Sequence, residues 1–343
     1  MDSKRIEYRS LGRLREFEGL GYDKEFMSAC LITGVAGFIG SSLARALLAA
    51  GDRVRGIDNL STGKRANIAE ILGQIDFRQV DLLDLTAVQH ACQGVDCILH
   101  QAAIPSVPRS VRDPVESNRA NVDATVNLLV AARDAKVKRV VYAASSSAYG
   151  DTPTLPKRED MLPDPISPYA VAKLAGEHYM TAFWRCYGLE TVSLRYFNVF
   201  GPRQDPTSPY SGVLAKFITQ MLQGEAPTIL GDGQQSRDFT FVENVVHANR
   251  LALKAPRHEV AGRVFNVATG SRVDLNATFQ MLKKLIGYSG DVRYGPERSG
   301  DVKHSLADLS LAKKHLGYEP TVGLEEGLQQ TIEWYREGAG ASA

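Results

Sequence analysis

A tyrosine is followed four residues later by a lysine in Tyr169-Ala170-Val171-Ala172-Lys173, within a stretch of helical apolar spacing. One helical turn brings both side chains to the same face. An ammonium beside a phenol favours the phenolate, drawing the tyrosine pKa down from about 10 and making it a general base. Taken alone, the pair is also what an ordinary helix surface shows. Ser145-Ser146-Ser147 follow the apolar run 139–144. A hydroxyl at the C-terminal end of a strand lies where open α/β sheets bind ligands, and there it can pass a proton between a substrate and Tyr169. The same triplet also reads as a polar strand-end turn.

A second constellation lies upstream, where Thr33-Gly34-Val35-Ala36-Gly37-Phe38-Ile39-Gly40 spells G-x-x-G-x-x-G. Glycines there let the backbone approach a pyrophosphate, and the free N–H groups of a following helix face the negative charge. Asp58 comes eighteen residues after Gly40 and ends the next apolar run. An acid at that place meets the adenosine ribose hydroxyls and repels a 2′-phosphate, favouring NAD over NADP. Alone, the glycines are punctuation and Asp58 is a turn or cap residue beside Asn59 and Ser61. Their shared context predicts a dinucleotide site.

These residues require a scaffold of alternating strands and helices. The pattern predicts strands at 30–32, 53–58, near 77–80, at 97–100, 139–145 and 190–196, and helices over 38–50, about 114–135 and 169–187. Such alternation specifies a doubly wound parallel sheet covered by helices on both faces. Pro202, Pro206 and Pro209 then break the pattern. The expected organisation is a charged leader over 1–28, a dinucleotide-binding Rossmann domain over 29–197, and a smaller α/β lobe over 198–338, with 264–268 returning to the main sheet.

Length, 343 residues, exceeds what one core usually supports, which agrees with a large domain plus a second lobe. With 44% hydrophobic and 23% charged residues and a net charge of +1, nothing argues for disorder, nucleic acid or an acidic membrane surface. No apolar run is long enough to span a bilayer, and the first residues lack an apolar signal core, so a cytoplasmic location is expected. Cys30, Cys92, Cys97 and Cys186 lack metal or redox spacing, so no metal is expected and all four read as buried thiols.

TGVAGFIG, HQAA at 100–103, SSSAYGD, YAVAK, RYFNVFGPRQ and RSGD at 298–301 occur in this order. From about 29 to 336 the chain thereby resembles the extended short-chain dehydrogenase/reductase family, and within it the nucleotide-sugar 4-epimerases. The resemblance implies that Tyr169 takes the proton from a sugar 4-hydroxyl while C4 is oxidised by NAD, that Lys173 binds the nicotinamide ribose, and that Ser145 relays the proton. It places Gly34, Gly37, Phe38, Ile39, Gly40, Asp58, Asn59, Ser61, Gly63, Asp81, Gln101, Ala102, Ala103, Asn121 and Tyr196 on the cofactor. Ser146, Ser147, Asn198, Val213, Arg237, Arg298 and Asp301 would meet the UDP-sugar.

Relatives that eliminate or decarboxylate carry an acid just after the serine segment, where this chain has Ser146-Ser147-Ala148; simple return to the opposite face of the ketone is therefore expected. A bulky tyrosine that closes the pocket in glucose-specific members corresponds here to Ser305, and Ser106 and Gln204 match positions in relatives that take N-acetylated sugars. Interconversion of UDP-N-acetylglucosamine and UDP-N-acetylgalactosamine is the expectation, with Pro105 standing where such relatives have glycine. UDP-glucose or UDP-hexuronate 4-epimerase, 4-ketosugar reductase and a non-catalytic NAD-binding scaffold are the competing readings. The resemblance also implies a homodimer.

Overall fold

A computed structural model describes residues 28–206, 212–297 and 302–340. Its centre is a seven-stranded sheet built from β1 (Ala29–Thr33), β2 (Arg53–Asp58), β3 (Asp76–Gln79), β4 (Cys97–His100), β5 (Arg139–Ser145) and β6 (Glu190–Tyr196), joined late in the chain by the strand Arg263–Val267. Every pairing in it is parallel, and the spatial order reverses between β1 and β4. Ligands of open α/β sheets bind at such a reversal, beyond the C-terminal strand ends. Gly34, Gln101 and Ser146 all follow directly from those ends.

Crossovers cover both faces of the sheet with α1 (Phe38–Ala49), α2 (Leu85–Cys92), α3 (Val107–Arg112), α4 (Pro114–Asn118), α5 (Ala124–Asp134) and α6 (Pro168–Tyr187). The sequence predicts one helix over 114–135; the structure has α4, a π-helical turn at Arg119–Asp123, then α5. Two helices, α2 and α3, were not expected. Leu31, Ile98 and Val140 enter one face of the core and Ile32, Leu99 and Val141 the other, which is the period of two that a strand imposes. With both faces covered, these strands read as continuous apolar runs.

Beyond β6 come β7 (Val199–Phe200), α7 (Val213–Leu222), β8 (Thr228–Leu230), β9 (Ser236–Arg237), β10 (Thr240–Phe241), α8 (Val242–Lys254), α9 (Arg257–Val260) and β11 (Arg263–Val267), the late sheet strand. The chain finishes with β12 (Val273–Asp274), α10 (Leu275–Ile286), β13 (Arg293–Gly295), α11 (Ser310–Leu316) and α12 (Leu324–Gly340). Their own core gathers Phe200, Phe217, Phe241, Phe279 and Leu328. Cys30, Cys92 and Cys97 are buried, but Cys186 is exposed, because it falls on the outer side of the last turn of α6. Among the described residues no helix is long and apolar enough to cross a membrane, and no His, Cys, Asp and Glu cluster is suited to a metal ion.

Candidate active site

The turn after β1 is as tight as its glycines require. Gly34 has φ +68° and a Cβ there would lie 2.8 Å from the Ala102 backbone. At Gly40 a Cβ would come within 2.1 Å of the Gly34 carbonyl oxygen. Helix α1 starts with no side-chain cap and no acid in its first turn, so its N-terminal N–H groups remain available to an anion. Asp58, at the end of β2, accepts hydrogen bonds from Ala36 N at 2.9 Å and Leu60 N at 2.8 Å. Burial raises its pKa against those bonds. Asn59 donates to Asp81 across the same rim at 3.0 Å, and Ser61 donates to Asn59.

A cavity of about 1870 Å³ joins this rim to the serine and tyrosine segments. Its volume and its glycine-floored end fit a dinucleotide with a further nucleotide-sized ligand beside it. Ser167 caps α6 by accepting from Ala170 N at 3.2 Å, and Pro168 fixes the first turn; this starts the helix so that Tyr169 and Lys173 both face the cavity. The Ser145 hydroxyl lies near enough to the Tyr169 phenol to favour its charged form. Ser147 Oγ donates to Ser145 Oγ at 2.8 Å, so the serine hydroxyls are linked on the side of the phenol. This assembly can move a proton.

The charge state departs from the sequence expectation. Desolvation pushes the Tyr169 phenol up to about 12, outweighing the opposing influence of Ser145. Lys173, only 3% exposed, falls to about 7 through burial, opposed by the carboxylate of Glu177. Its ammonium donates to the Ala143 carbonyl at 2.8 Å and sits 4.7 Å from the centre of the Tyr142 ring. Behind the site, buried His100 bridges Thr33 and Thr125 at 2.8 and 2.9 Å, and burial lowers its pKa to about 3, so it is a neutral strut.

Other predicted positions divide clearly. Gly37, Phe38, Ile39, Gly63, Gln101, Ala102, Ala103, Ser146 and Tyr196 line the cavity, as do Ser106, Asn198, Gln204, Arg237 and Ser305. Tyr196 donates to Gln101 at 3.3 Å and accepts from Asn249 at 2.8 Å. Asn198 reaches Ser305 Oγ at 3.4 Å. Ser106 Oγ accepts from Arg109 N at 3.1 Å, capping α3. Two positions do not line the cavity. Asn121 lies behind the wall, where its carboxamide is consumed by Ile104 N at 3.0 Å and Ser117 O at 2.9 Å; it holds the loop after β4. Val213 packs against the second core instead of the cavity. Arg298 and Asp301 lie outside the described residues.

Sequence reasoning missed Lys157, Arg203 and His304, all on the cavity wall. Arg203 has φ +68°, donates to Ser42 Oγ of α1 at 3.2 Å, and has a buried Nε with no partner among the described residues. Burial and the neighbouring Arg45 lower its pKa to about 10. The only local signal was its place in the Gly-Pro-Arg-Gln break. His304 Nδ1 lies 2.9 Å from Ser236 Oγ, a contact made across a long sequence separation, and Lys157 is buried with its ammonium on Thr152.

Comparison with known proteins agrees with this architecture. Residues 30–268 match the model of the NAD dependent epimerase/dehydratase family. The chain is 39% identical over 311 residues to a UDP-glucose 4-epimerase of Mycolicibacterium smegmatis, covering 89% of this chain and 98% of that protein. Among solved structures it resembles a UDP-N-acetylglucosamine 4-epimerase of Methanobrevibacter ruminantium in complex with UDP-N-acetylmuramic acid, at TM-score 0.86 and 39% identity over 91% of this chain and 99% of that one. It also resembles the UDP-glucose 4-epimerase of Thermus thermophilus in complex with NAD, at TM-score 0.82 and 37% identity over 90% and 99% of the two chains. Matches of this identity, spanning the glycine turn, the serine segment and the Tyr-Lys helix alike, place the chain in the NAD dependent epimerase/dehydratase family.

Proposed function

We propose that this NAD-dependent UDP-sugar 4-epimerase interconverts UDP-N-acetylglucosamine and UDP-N-acetylgalactosamine. The observation that carries the choice of sugar is Ser305, a small side chain on the cavity wall within 3.4 Å of Asn198, where a bulky residue would take up the room for a 2-acetamido group. Ser106 and Gln204 lie on the same cavity and support the reading. Residues 29–197 would hold mainly the cofactor and 198–338 mainly the nucleotide sugar. Arg237 would serve the diphosphate, for which its forked donors are suited.

In this mechanism the Tyr169 phenol, beside Ser145, takes the proton of the sugar 4-hydroxyl and later returns it. When bound, NAD would supply the two-electron acceptor and donor for oxidation and re-reduction at C4. Lys173 adds positive charge one helical turn from the phenol, and the neutral Ser146, Ser147 and Ala148 leave the neighbouring carbon untouched. Holding the nucleotide firmly while the ketosugar turns about the diphosphate exposes either face to reduction. Val115 on α4 and Val171 and Tyr179 on α6 are exposed on packed helices, which supports pairing with a second copy.

The test is incubation of purified protein, with no cofactor added, with UDP-N-acetylglucosamine, UDP-glucose and UDP-glucuronate separately, following the anomeric protons by NMR. Faster conversion of the acetylated sugar is expected. Conversion of glucose or glucuronate alone refutes the substrate while keeping the chemistry. No conversion of any sugar, with NAD added, refutes the mechanism. Sedimentation of the same sample as a monomer would refute the pairing.

A further inference from the structure

We propose that Glu177 is a positioning residue for the reaction: paired with Arg195 and one helical turn from Lys173, its carboxylate supports the lysine charge behind the proton-transfer chain. The proposal rests on the epimerase reading above. Glu177 follows Lys173 by one turn of α6 and is 3% exposed, as is Arg195 on β6. Arg195 Nε lies 2.9 and 3.2 Å from the two carboxylate oxygens, and Nη2 lies 2.8 Å from Oε2. The remaining guanidinium nitrogen, Nη1, has no hydrogen-bond partner among the described residues, and the group stacks 4.6 Å from the centre of the Tyr149 ring. Tyr149 closes the serine segment and donates to Asn266 at 2.7 Å. A charged network therefore runs from the Tyr-Lys helix under the serines to β11, using no residue of the cavity wall except Lys173 and Tyr149.

An ion pair kept only for stability has no need of a third charge. Here the arrangement is Lys173⁺, Glu177⁻, Arg195⁺, and among the described residues the anion is the nearby group that favours the protonated lysine. The other titratable groups facing Lys173 are Tyr169 on its own helix, Tyr142 on β5 and His100 on β4, all neutral at pH 7. Glu159 and Tyr149 face Arg195 from the far side. On the helical side Arg109 pairs with Glu116 at 2.5 Å and Arg133 with Asp134 at 2.7 Å, while Arg112, Arg119 and Asp123 are not buried. Removing the anion and removing its second cation must therefore act on Lys173 in opposite senses.

The test is the pH dependence of kcat in Glu177→Gln and Arg195→Met. The limb that reports loss of the lysine proton should move to lower pH in the first, because the group that favours the protonated lysine is lost. In the second it should move to higher pH, because Glu177 is left with Lys173 as its only close cation among the described residues. A readout independent of turnover is the melting temperature of the unliganded protein. A lysine whose folded pKa is near 7 rather than its ordinary 10.5 makes stability rise with pH between those values, since the unfolded chain then holds more protons. In Glu177→Gln that rise should begin at lower pH. Unshifted profiles, or shifts in the same direction, overturn the proposal. If either single variant does not fold, the double variant, which leaves no buried charge of this ion pair unpaired, replaces it. In that variant the lysine limb should lie below the wild-type pH but shifted less than removal of the anion alone predicts; a limb at the wild-type pH, or one shifted the full distance, overturns the proposal. Failure of the epimerase reading itself would look different: the wild-type protein would turn over no UDP-sugar, while the melting shift would persist.

Discussion

Substitution Asp58→Asn separates what the carboxylate does for the fold from what it would do for the cofactor. In the structure both oxygens are engaged, Oδ2 by Ala36 N at 2.9 Å and Oδ1 by Leu60 N at 2.8 Å, and the residue is 8% exposed. An amide has one acceptor oxygen, so one of those N–H groups loses its partner and meets an NH₂ instead. Leaving a buried donor unsatisfied costs about 1–3 kcal/mol, visible as a fall of a few degrees in the melting temperature of the unliganded protein. Binding loses something separate. If each remaining carboxylate lone pair receives a ribose hydroxyl, the charge-assisted bond is worth about 1.5–3 kcal/mol, and NAD affinity should fall roughly ten- to a hundredfold. Removing the negative charge also removes the repulsion of a 2′-phosphate, so NADP affinity should fall less or rise. The assay is calorimetric titration of both cofactors into cofactor-stripped protein. An unchanged ratio of NADP to NAD affinity, whatever the melting temperature does, would show that the carboxylate does not face the adenosine ribose.

Tyr169→Phe keeps the ring but deletes the hydroxyl beside Ser145, and kcat should fall about a hundred- to ten-thousandfold with NAD binding retained, measured by anomeric-proton NMR and calorimetry. Gly40→Ala places a Cβ 2.1 Å from the Gly34 carbonyl oxygen, so the turn must open; a destabilisation of about 1–3 kcal/mol and loss of NAD retention through gel filtration are expected. Ser305→Tyr should slow turnover of UDP-N-acetylglucosamine far more than that of UDP-glucose, read as the ratio of kcat/KM values. Asp238→Ala removes the acceptor of Thr269 N and Oγ1, Gly270 N and Ala307 N, which together hold the segment carrying Ser305; a loss of several kcal/mol in a urea titration is expected.

The sheet and most of its helices could be read because each depends on a local pattern: β5 and β6 begin and end where their apolar runs do, and α6 begins one residue before the 169 start that its spacing predicts. Helices α2 and α3 were missed because eight and six residues give too little periodicity to stand out. In the site, sequence position showed which residues lie at strand ends, but not whether their polar atoms are available. Asn121 sits near the cavity and spends its amide on Ile104 and Ser117; Ser106 lines the cavity and spends its hydroxyl on a helix cap. The Asn121 contact has no signature in residue type or spacing, and the Ser106 cap is marked only by the proline two residues later.

Lys173 and Tyr169 show why the same limit applies to charge. Their four-residue spacing correctly implies one helix face, and from there the sequence expectation was a phenol acidified by a neighbouring ammonium. The structure buries both groups, and desolvation acts on whichever form is charged: it drives the phenol up to about 12 and the ammonium down to about 7. The pair is thus held near its neutral forms by the fold alone. A proton can leave Tyr169 readily only if further positive charge arrives, and Lys173 can provide its share only if something keeps it protonated. Glu177, one turn further along, is the group that does so, while Arg195 from the neighbouring strand limits how strongly it acts. The reactivity of the tyrosine therefore depends on two residues that no catalytic motif in the sequence marks, one on its own helix and one brought beside it by the parallel sheet.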